Sequence, residues 1–125
     1  MSLQAYQKSV SRAEDGRSTE YRLLGLVTQS LIEARVRGPF EFSKLAHALD
    51  WNRRVWSTFA SDCSTETNTM TPALRAGIIS LSIFVTKHSS AVLREGADIE
   101  PLIDINRTVM QGLEHSLAAR PATAA

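Results

Sequence analysis

Two similar polar hexapeptides lie inside otherwise apolar helical segments, and they constrain the fold more than any other feature of the chain. They read Asp50-Trp51-Asn52-Arg53-Arg54-Val55 and Asp104-Ile105-Asn106-Arg107-Thr108-Val109, which is Asp-x-Asn-Arg-x-Val twice. Asparagine is a poor helix-interior residue because its short amide competes for neighbouring backbone groups. Two of the three asparagines stand in this setting, so each needs a hydrogen-bonding partner.

Apolar residues at equal distances from the two motifs indicate a shared helical setting. The positions that correspond are Leu45 and Ile99, Leu49 and Ile103, and Phe59 and Leu113. This spacing is typical of the buried stripe of an amphipathic helix. Both segments are therefore predicted to be core helices that carry a polar motif.

Helical periodicity accounts for most of the chain, whereas no stretch alternates convincingly with period two. The predicted helices are 3–13, closed by Asp15-Gly16; about 18–37, closed by Gly38-Pro39; about 40–62; 72–95, capped by Thr71-Pro72 and stopped by Gly96; and a fifth that starts within 98–101. Short connections favour antiparallel neighbours. We therefore predict an all-α fold, an up-and-down bundle of four to five helices, with residues 1–120 as a single helical domain and 121–125 as a flexible tail.

The fourth predicted helix is apolar around most of its circumference. Its most apolar run, Ile78 to Val85, is interrupted only by Ser80 and Ser82. A helix of this composition is buried in a soluble protein, and the run is too short to cross a bilayer. We expect it to be the central helix, with no membrane association.

Composition and charge argue against several functional classes. Fourteen Lys and Arg against thirteen Asp and Glu give a net charge of +1, which lacks the basic excess of proteins that bind mainly phosphates, so direct nucleic-acid binding is not expected. The single cysteine, Cys63, allows no intrachain disulfide and no cysteine metal cluster. The N-terminal residues do not resemble a secretory leader, and we expect a cytoplasmic location.

No convergent set of catalytic or metal-binding residues is evident. His47, His88 and His115 fall on different predicted helices without a second His or Cys at ligand spacing, so no metal and no cofactor are expected. Cys63 and His47 have the chemistry of a nucleophile and a base, but no third group to orient them is evident. We predict that the chain is not an enzyme.

Five polar residues of the two motifs are predicted to be structural. They are Asp50, Asn52, Asp104, Asn106 and Arg107. Each aspartate lies three or four positions before Arg or Thr, so it either forms an ordinary surface pair or holds a guanidinium that points across an interface. For Asn106 and Arg107 we favour an internal role, because the flanking apolar residues leave little outward face.

The first motif also has the composition of a binding hot spot, since two Trp and adjacent Arg lie within six residues. Trp56 taken alone also suits a core position. The predicted partner-binding residues are Trp51, Arg53, Arg54 and Trp56 as polar and aromatic contacts, with Leu24, Leu31, Ile83 and Phe84 as the lining of a groove.

Six segments spread over nearly the whole chain form a recognisable set. They are Met1-Ser2-Leu3-Gln4-Ala5-Tyr6, Thr19-Glu20-Tyr21-Arg22-Leu23-Leu24, Leu49-Asp50-Trp51-Asn52-Arg53-Arg54, Ala73-Leu74-Arg75, Ile78-Ile79-Ser80-Leu81 and Asp104-Ile105-Asn106-Arg107-Thr108. Together they resemble the FlaF family of bacterial flagellar biosynthesis regulators, and the two Asn-Arg motifs are the most specific part of the resemblance.

The resemblance implies a small, non-enzymatic protein that binds flagellin before export and acts against a partner regulator, FlbT, which is linked to flagellin mRNA. It further implies an amphipathic client, for which a bundle with an apolar groove is a suitable host. The expected function is that of a flagellin secretion chaperone and positive regulator of flagellin synthesis. The alternative is RNA-linked regulation of flagellin translation, in which Arg35, Arg37, Arg53 and Arg54 would form a basic patch.

Overall fold

Four α-helices account for nearly all of the chain that the computed structural model describes, namely residues 3–35, 41–65 and 71–118, with side chains described at 3–4, 19–35, 41–65 and 71–112. The helices are α1 (Leu3–Arg35), α2 (Phe42–Cys63), α3 (Pro72–Glu95) and α4 (Glu100–Ala118). No strand occurs within these ranges. The predicted all-α fold is confirmed.

Neighbouring helices run antiparallel. α1 packs against α2 and α4, α2 packs also against α3, and α3 packs less extensively against α4. Arg35 at the end of α1 pairs with Glu100 at the start of α4. Thr28, further back on α1, contacts the sulfur of Met110, further along α4. The arrangement is an up-and-down bundle in which α2 and α4 lie diagonally opposite each other.

α1 is one continuous helix where the sequence predicted two. The predicted break at Asp15-Gly16 is wrong, because the helix runs through this point from Leu3 to Arg35. A glycine inside a helix costs only about 1 kcal/mol relative to alanine, which the helical segments on either side outweigh. The predicted stop at Gly38-Pro39 and the tail at 121–125 lie outside the described residues.

The core is built from the apolar stripes that the two motifs share. Leu45, Leu49 and Phe59 of α2 are buried, as are Ile99 and Ile103 at the start of α4. These residues belong to one cluster with side chains from all four helices. Leu113, the remaining predicted member, lies outside the described side chains.

α3 is a peripheral helix, and the prediction that it is central is wrong. Its buried residues are Ile78, Val85, Ser89 and Val92. They form one narrow stripe, and much of the remaining surface of α3 is exposed. By length and composition α3 could cross a membrane, since an 18-residue window has a mean hydropathy of 1.4 and only 22% of that window is buried. The sequence argument considered only 78–85 and missed this property of the whole helix.

Local signals set both ends of α3. Thr71 is the N-cap, its hydroxyl oxygen accepts a hydrogen bond from the Leu74 N–H at 3.2 Å, and Pro72 takes the first position. At the other end Gly96 has φ 70°. The Gly96 and Ala97 N–H groups both donate to the Ala91 carbonyl, so the left-handed glycine turns the chain back over the last turn of α3. Both predicted ends are confirmed.

Two glycine substitutions should change stability in opposite directions. Gly96→Ala should lower the free energy of unfolding by about 1 kcal/mol, because a Cβ disfavours the left-handed conformation. Gly77→Ala should raise it by about 0.5 to 1 kcal/mol, because Gly77 is inside α3 and an added Cβ would have no neighbour within 4 Å. Urea denaturation measures both. A change of the same sign in the two variants would contradict this account of α3.

Candidate partner-binding surfaces

The asparagines of the two motifs bind each other in the interior. Asn106 Nδ2 of α4 donates to Asn52 Oδ1 of α2 at 2.8 Å, and Trp56 Nε1 donates to Asn106 Oδ1 at 2.8 Å. Both asparagines are 0% exposed and Trp56 is 1% exposed. Because Asn52 and Trp56 lie one turn apart on α2, a single amide from α4 spans one turn of the diagonally opposite helix.

This network leaves one buried donor without a partner. Asn52 Nδ2 makes no hydrogen bond within the described part of the chain. A buried donor left unpaired costs on the order of 1 to 3 kcal/mol, so the network is not the most stable solution for this position. We infer that it serves specificity, by fixing the register of α2 against α4, as single buried asparagines do in coiled coils.

The structural residues of the motifs divide between interior and surface. Asn52 and Asn106, expected inside, are buried, whereas Arg107, also expected inside, is exposed. Arg107 follows Asn106 directly, and one residue is a rotation of about 100° around a helix, which turns its side chain away from the core. Asp104 is exposed as well, and its carbonyl accepts a hydrogen bond from the Thr108 hydroxyl at 2.9 Å.

Asp50 holds two arginines on the surface of α2. Arg53 Nη2 donates to Asp50 Oδ1 at 2.7 Å, and Arg54 Nε donates to Asp50 Oδ2 at 2.9 Å. The hydrogen bond from Arg53 is the largest cause that holds the pKa of Asp50 below its usual range; partial desolvation opposes it, and the charge of Arg54 adds to it. Exposed ion pairs stabilise a fold little. Their effect here is to fix where the guanidinium groups lie.

A groove of about 220 Å³ lies between α1 and α2, next to this ion pair. We call it the α1–α2 groove. Its lining residues are Glu20, Leu23 and Leu24 of α1, and Trp51, Arg54, Val55, Thr58, Phe59 and Asp62 of α2. The buried side chains of Leu24 and Phe59 form the floor. Along α2, Arg54 lies towards one end and Asp62 towards the other, so the two ends differ in charge.

Trp51 and Arg54 also border a second concavity. It has a volume of about 320 Å³, and His47 and Asp50 complete its lining. Trp51 is half-buried. Since both concavities share Trp51 and Arg54, these two side chains form the boundary between them.

The second candidate surface is an uncharged exposed face of α3, which we call the α3 outer face. Its residues are Ala73, Ala76, Gly77, Ser80, Ile83 and Phe84, and exposed Lys87 follows them on the same side of the helix. Leu74 is also exposed but lies about 180° around the helix from Ile83, on the side of the buried stripe. Ile83 and Phe84 are 53% and 41% exposed. Phe84 stacks on His88 with ring centroids 5.2 Å apart. Single exposed apolar side chains are ordinary, but a neighbouring Ile and Phe on a face of small uncharged residues are typical of an interaction surface.

The eight residues predicted to bind a partner do not form one groove. Leu24, Trp51 and Arg54 line the α1–α2 groove; Ile83 and Phe84 belong to the α3 outer face; Arg53 is exposed outside both; and Leu31 and Trp56 lie in the core. In the described part of the chain the four apolar residues do not line a common groove, because α1 and α3, on which they lie, do not pack against each other. Trp56, expected as a possible contact, is an interior residue.

The arginines of the candidate basic patch are paired with carboxylates. Arg35 binds Glu100, and Arg53 and Arg54 both bind Asp50. Arg37 lies outside the described residues. Two carboxylates thus offset most of the charge of the three described arginines, and the remainder is too small for binding that depends mainly on phosphate contacts.

Cys63 and His47 are too far apart to act together. Both lie on α2, and at 1.5 Å per residue their positions are about 24 Å apart along the helix. Burial is the main cause that raises the pKa of the Cys63 thiol, and the charges of Glu20 and Asp62 raise it further. In the part of the chain that is described, no three His, Cys, Asp or Glu side chains are placed to hold a metal ion.

A family model described as flagellar protein FlaF matches residues 2–113. The chain belongs to the FlaF family. Comparison with curated proteins and with solved structures gives no match. The matched region contains the whole asparagine network and both candidate surfaces, so these features lie in the part of the chain that the flagellar family model describes.

Sequence reasoning missed most of the α1–α2 groove of this FlaF-family chain. Val55 and Asp62 line the groove, and each directly precedes a core residue, Trp56 and Cys63 respectively. A signal was present, because Trp51, Val55 and Asp62 follow a helical spacing one position before the core stripe. Sequence alone could not show that Leu23 and Leu24 of α1 lie opposite them.

The asparagine network should be required for stability, whereas the exposed residue Arg107 beside it should not. Asn106→Ala should lower the free energy of unfolding by about 2 to 4 kcal/mol, because it leaves the Trp56 indole N–H and the Asn52 amide unpaired in the core and opens a cavity. Arg107→Ala, one residue away and exposed, should change it by less than about 0.5 kcal/mol. Urea denaturation measures both. Equal effects would show that the network does not hold α4 against α2.

Proposed function

We propose that this FlaF-family protein binds flagellin in the cytoplasm through the α3 outer face and so promotes flagellin production and export. The observation that carries the proposal is that Ile83 and Phe84, both about half exposed, lie side by side on a helix face that has no charged side chain from Ala73 to Phe84. Burial of apolar surface is favourable by roughly 25 cal/mol per Å². This apolar surface stays in contact with water in the folded chain alone. A partner that covers the face removes it from water, and this stabilises the complex.

The shape of the α3 outer face suits an amphipathic helix. From Ala73 to Phe84 the face extends about 17 Å, or three helical turns. Small residues, Gly77 and Ser80 among them, make up most of it, which lets a second helix approach closely, while the large side chains of Ile83 and Phe84 lie at one end. Recognition of a helix by an apolar surface uses anchors at i, i+3, i+4 and i+7. The amphipathic terminal segments of flagellin would present such anchors.

Binding of this kind would explain both parts of the proposed role. Covered terminal segments cannot pair with those of other flagellin molecules, so premature assembly is prevented and the client remains available for export. Effects on flagellin synthesis, including opposition to the regulator FlbT, would follow from flagellin binding. Direct RNA contact is not required, and the described arginines of the candidate patch are engaged by carboxylates.

A lipid bilayer is the competing occupant of α3, because the helix is apolar enough to enter one. However, α3 contributes Ile78, Val85 and Val92 to the core, and Ser82 Oγ donates to the Trp56 carbonyl at 3.4 Å. Crossing a membrane would require α3 to leave the bundle and expose that core. A protein partner can bind the outer face while these contacts remain, and this favours a protein client over a bilayer.

A charge on the α3 outer face should weaken flagellin binding. Phe84→Glu should reduce the affinity for peptides of the flagellin termini at least about tenfold, because a carboxylate would be buried against an apolar client. Titration calorimetry with the full chain measures this. Leu26→Glu is the matched control: Leu26 is 54% exposed on α1, so this variant should bind as the unsubstituted chain does.

Several results would overturn the proposal. Unchanged affinity of Phe84→Glu would exclude the α3 outer face as the site, and the absence of any heat or co-elution with flagellin at micromolar concentration would exclude flagellin binding. Sedimentation with vesicles of phosphatidylcholine and phosphatidylglycerol tests the membrane alternative. Vesicle binding that is lost in Phe84→Glu would assign the face to lipid instead.

A further inference from the structure

The α1–α2 groove has the size of a site for side chains, not for a cofactor. Its volume of about 220 Å³ is below the roughly 300 to 1,000 Å³ of small-molecule pockets. Leu24 and Phe59 form an apolar floor, and half-buried Val55 and Trp51 extend it along α2. One large apolar side chain of a partner, aromatic or aliphatic, would fill this space.

The charge at one end of the groove specifies a carboxylate. Arg54 gives its Nε to Asp50, which holds the guanidinium beside Trp51 and leaves its terminal nitrogens for another acceptor. Terminal guanidinium nitrogens match a carboxylate in geometry as well as in charge. Arg53 is exposed on the same stretch of α2, and since Asp50 is the carboxylate that pairs with both arginines, these three groups together carry a net charge of +1.

The opposite end of the groove gives the partner a direction. Glu20 and Asp62 line that end, whereas the one cation among the described lining residues is Arg54 at the other end, so a bound carboxylate is favoured at the Arg54 end. An acidic residue of a bound segment would therefore lie at the Trp51 end, with its apolar neighbour towards Phe59. A difference in charge between the two ends of a binding site contributes more to the specificity of binding than to its affinity.

We propose that the α1–α2 groove is a second binding site, which takes an acidic segment of a partner protein: a large apolar side chain enters the groove, and an adjacent carboxylate binds Arg54 beside Trp51. This site is separate from the α3 outer face, because α1 and α3 do not pack against each other and no residue is shared. It does not depend on flagellin binding, and the two surfaces can be occupied at the same time.

Dipeptides test the proposed recognition directly. The probes are N-acetyl-Phe-Glu-amide and N-acetyl-Phe-Lys-amide, titrated into the ¹⁵N-labelled full chain and followed by NMR. The indole N–H signal of Trp51 should shift in a saturable manner, while that of Trp56, which is buried against Asn106, should not move. The glutamate probe should bind about three to five times more tightly than the lysine probe, as expected for an exposed ion pair.

Paired variants locate the site. Thr58→Trp should fill the groove and abolish the Trp51 shift, whereas Ser57→Trp, exposed on α2 outside the groove, should not. Arg54→Glu should reverse the preference towards the lysine probe, and Arg107→Glu, exposed on α4, should leave it unchanged.

The outcomes separate this site from the proposed function. The groove proposal is overturned if neither probe moves the Trp51 signal, if both probes bind equally, or if Thr58→Trp binds as before. Phe84→Glu should retain dipeptide binding. If that variant loses flagellin binding but still binds the dipeptides, the result supports the role of the α3 outer face and leaves the groove proposal unaffected.

Discussion

The hydrogen bond between Asn52 and Asn106 is the constraint on which the rest of the structure depends. Apolar stripes can slide past one another at little cost, but two buried amides bind at only one register. Because they join diagonally opposite helices, they fix the position of α2 along α4. One side of α2 forms the α1–α2 groove and the other packs against α3, so both candidate surfaces depend on the position of α2.

Sequence reasoning succeeded where structure follows from adjacent residues. The ends of α3 at Thr71-Pro72 and Gly96 depend on local capping chemistry, and the need of Asn52 and Asn106 for a partner follows from their unsuitability for helix interiors. It failed where a small local penalty competes with longer segments, as at Gly16. It also failed for α3, because hydropathy measures how apolar a helix is and not how much of its surface the rest of the chain covers.

The candidate sites were only partly predictable for the same reason. Trp51 and Trp56 look alike in the sequence, yet five residues correspond to about 140° of rotation around a helix, so one borders a surface groove and the other enters the core. The spacing within α2 could have shown this. No pattern within one helix could show that Leu24 lies opposite Trp51 or that Ile83 lies on a separate face, since these relations arise between helices.

The indole of Trp56 fixes the direction of the hydrogen bonds in the buried network. An indole N–H can only donate, so Asn106 must turn its oxygen towards Trp56 and therefore its nitrogen towards Asn52. Neither amide can rotate by half a turn without two donors or two acceptors facing each other. The second motif has Met110 at the place that Trp56 holds in the first, so the asymmetry lies in the covalent sequence itself. The hydrogen bonds of this network can consequently run in only one direction, whereas a symmetric pair of asparagines could form them in either of two directions.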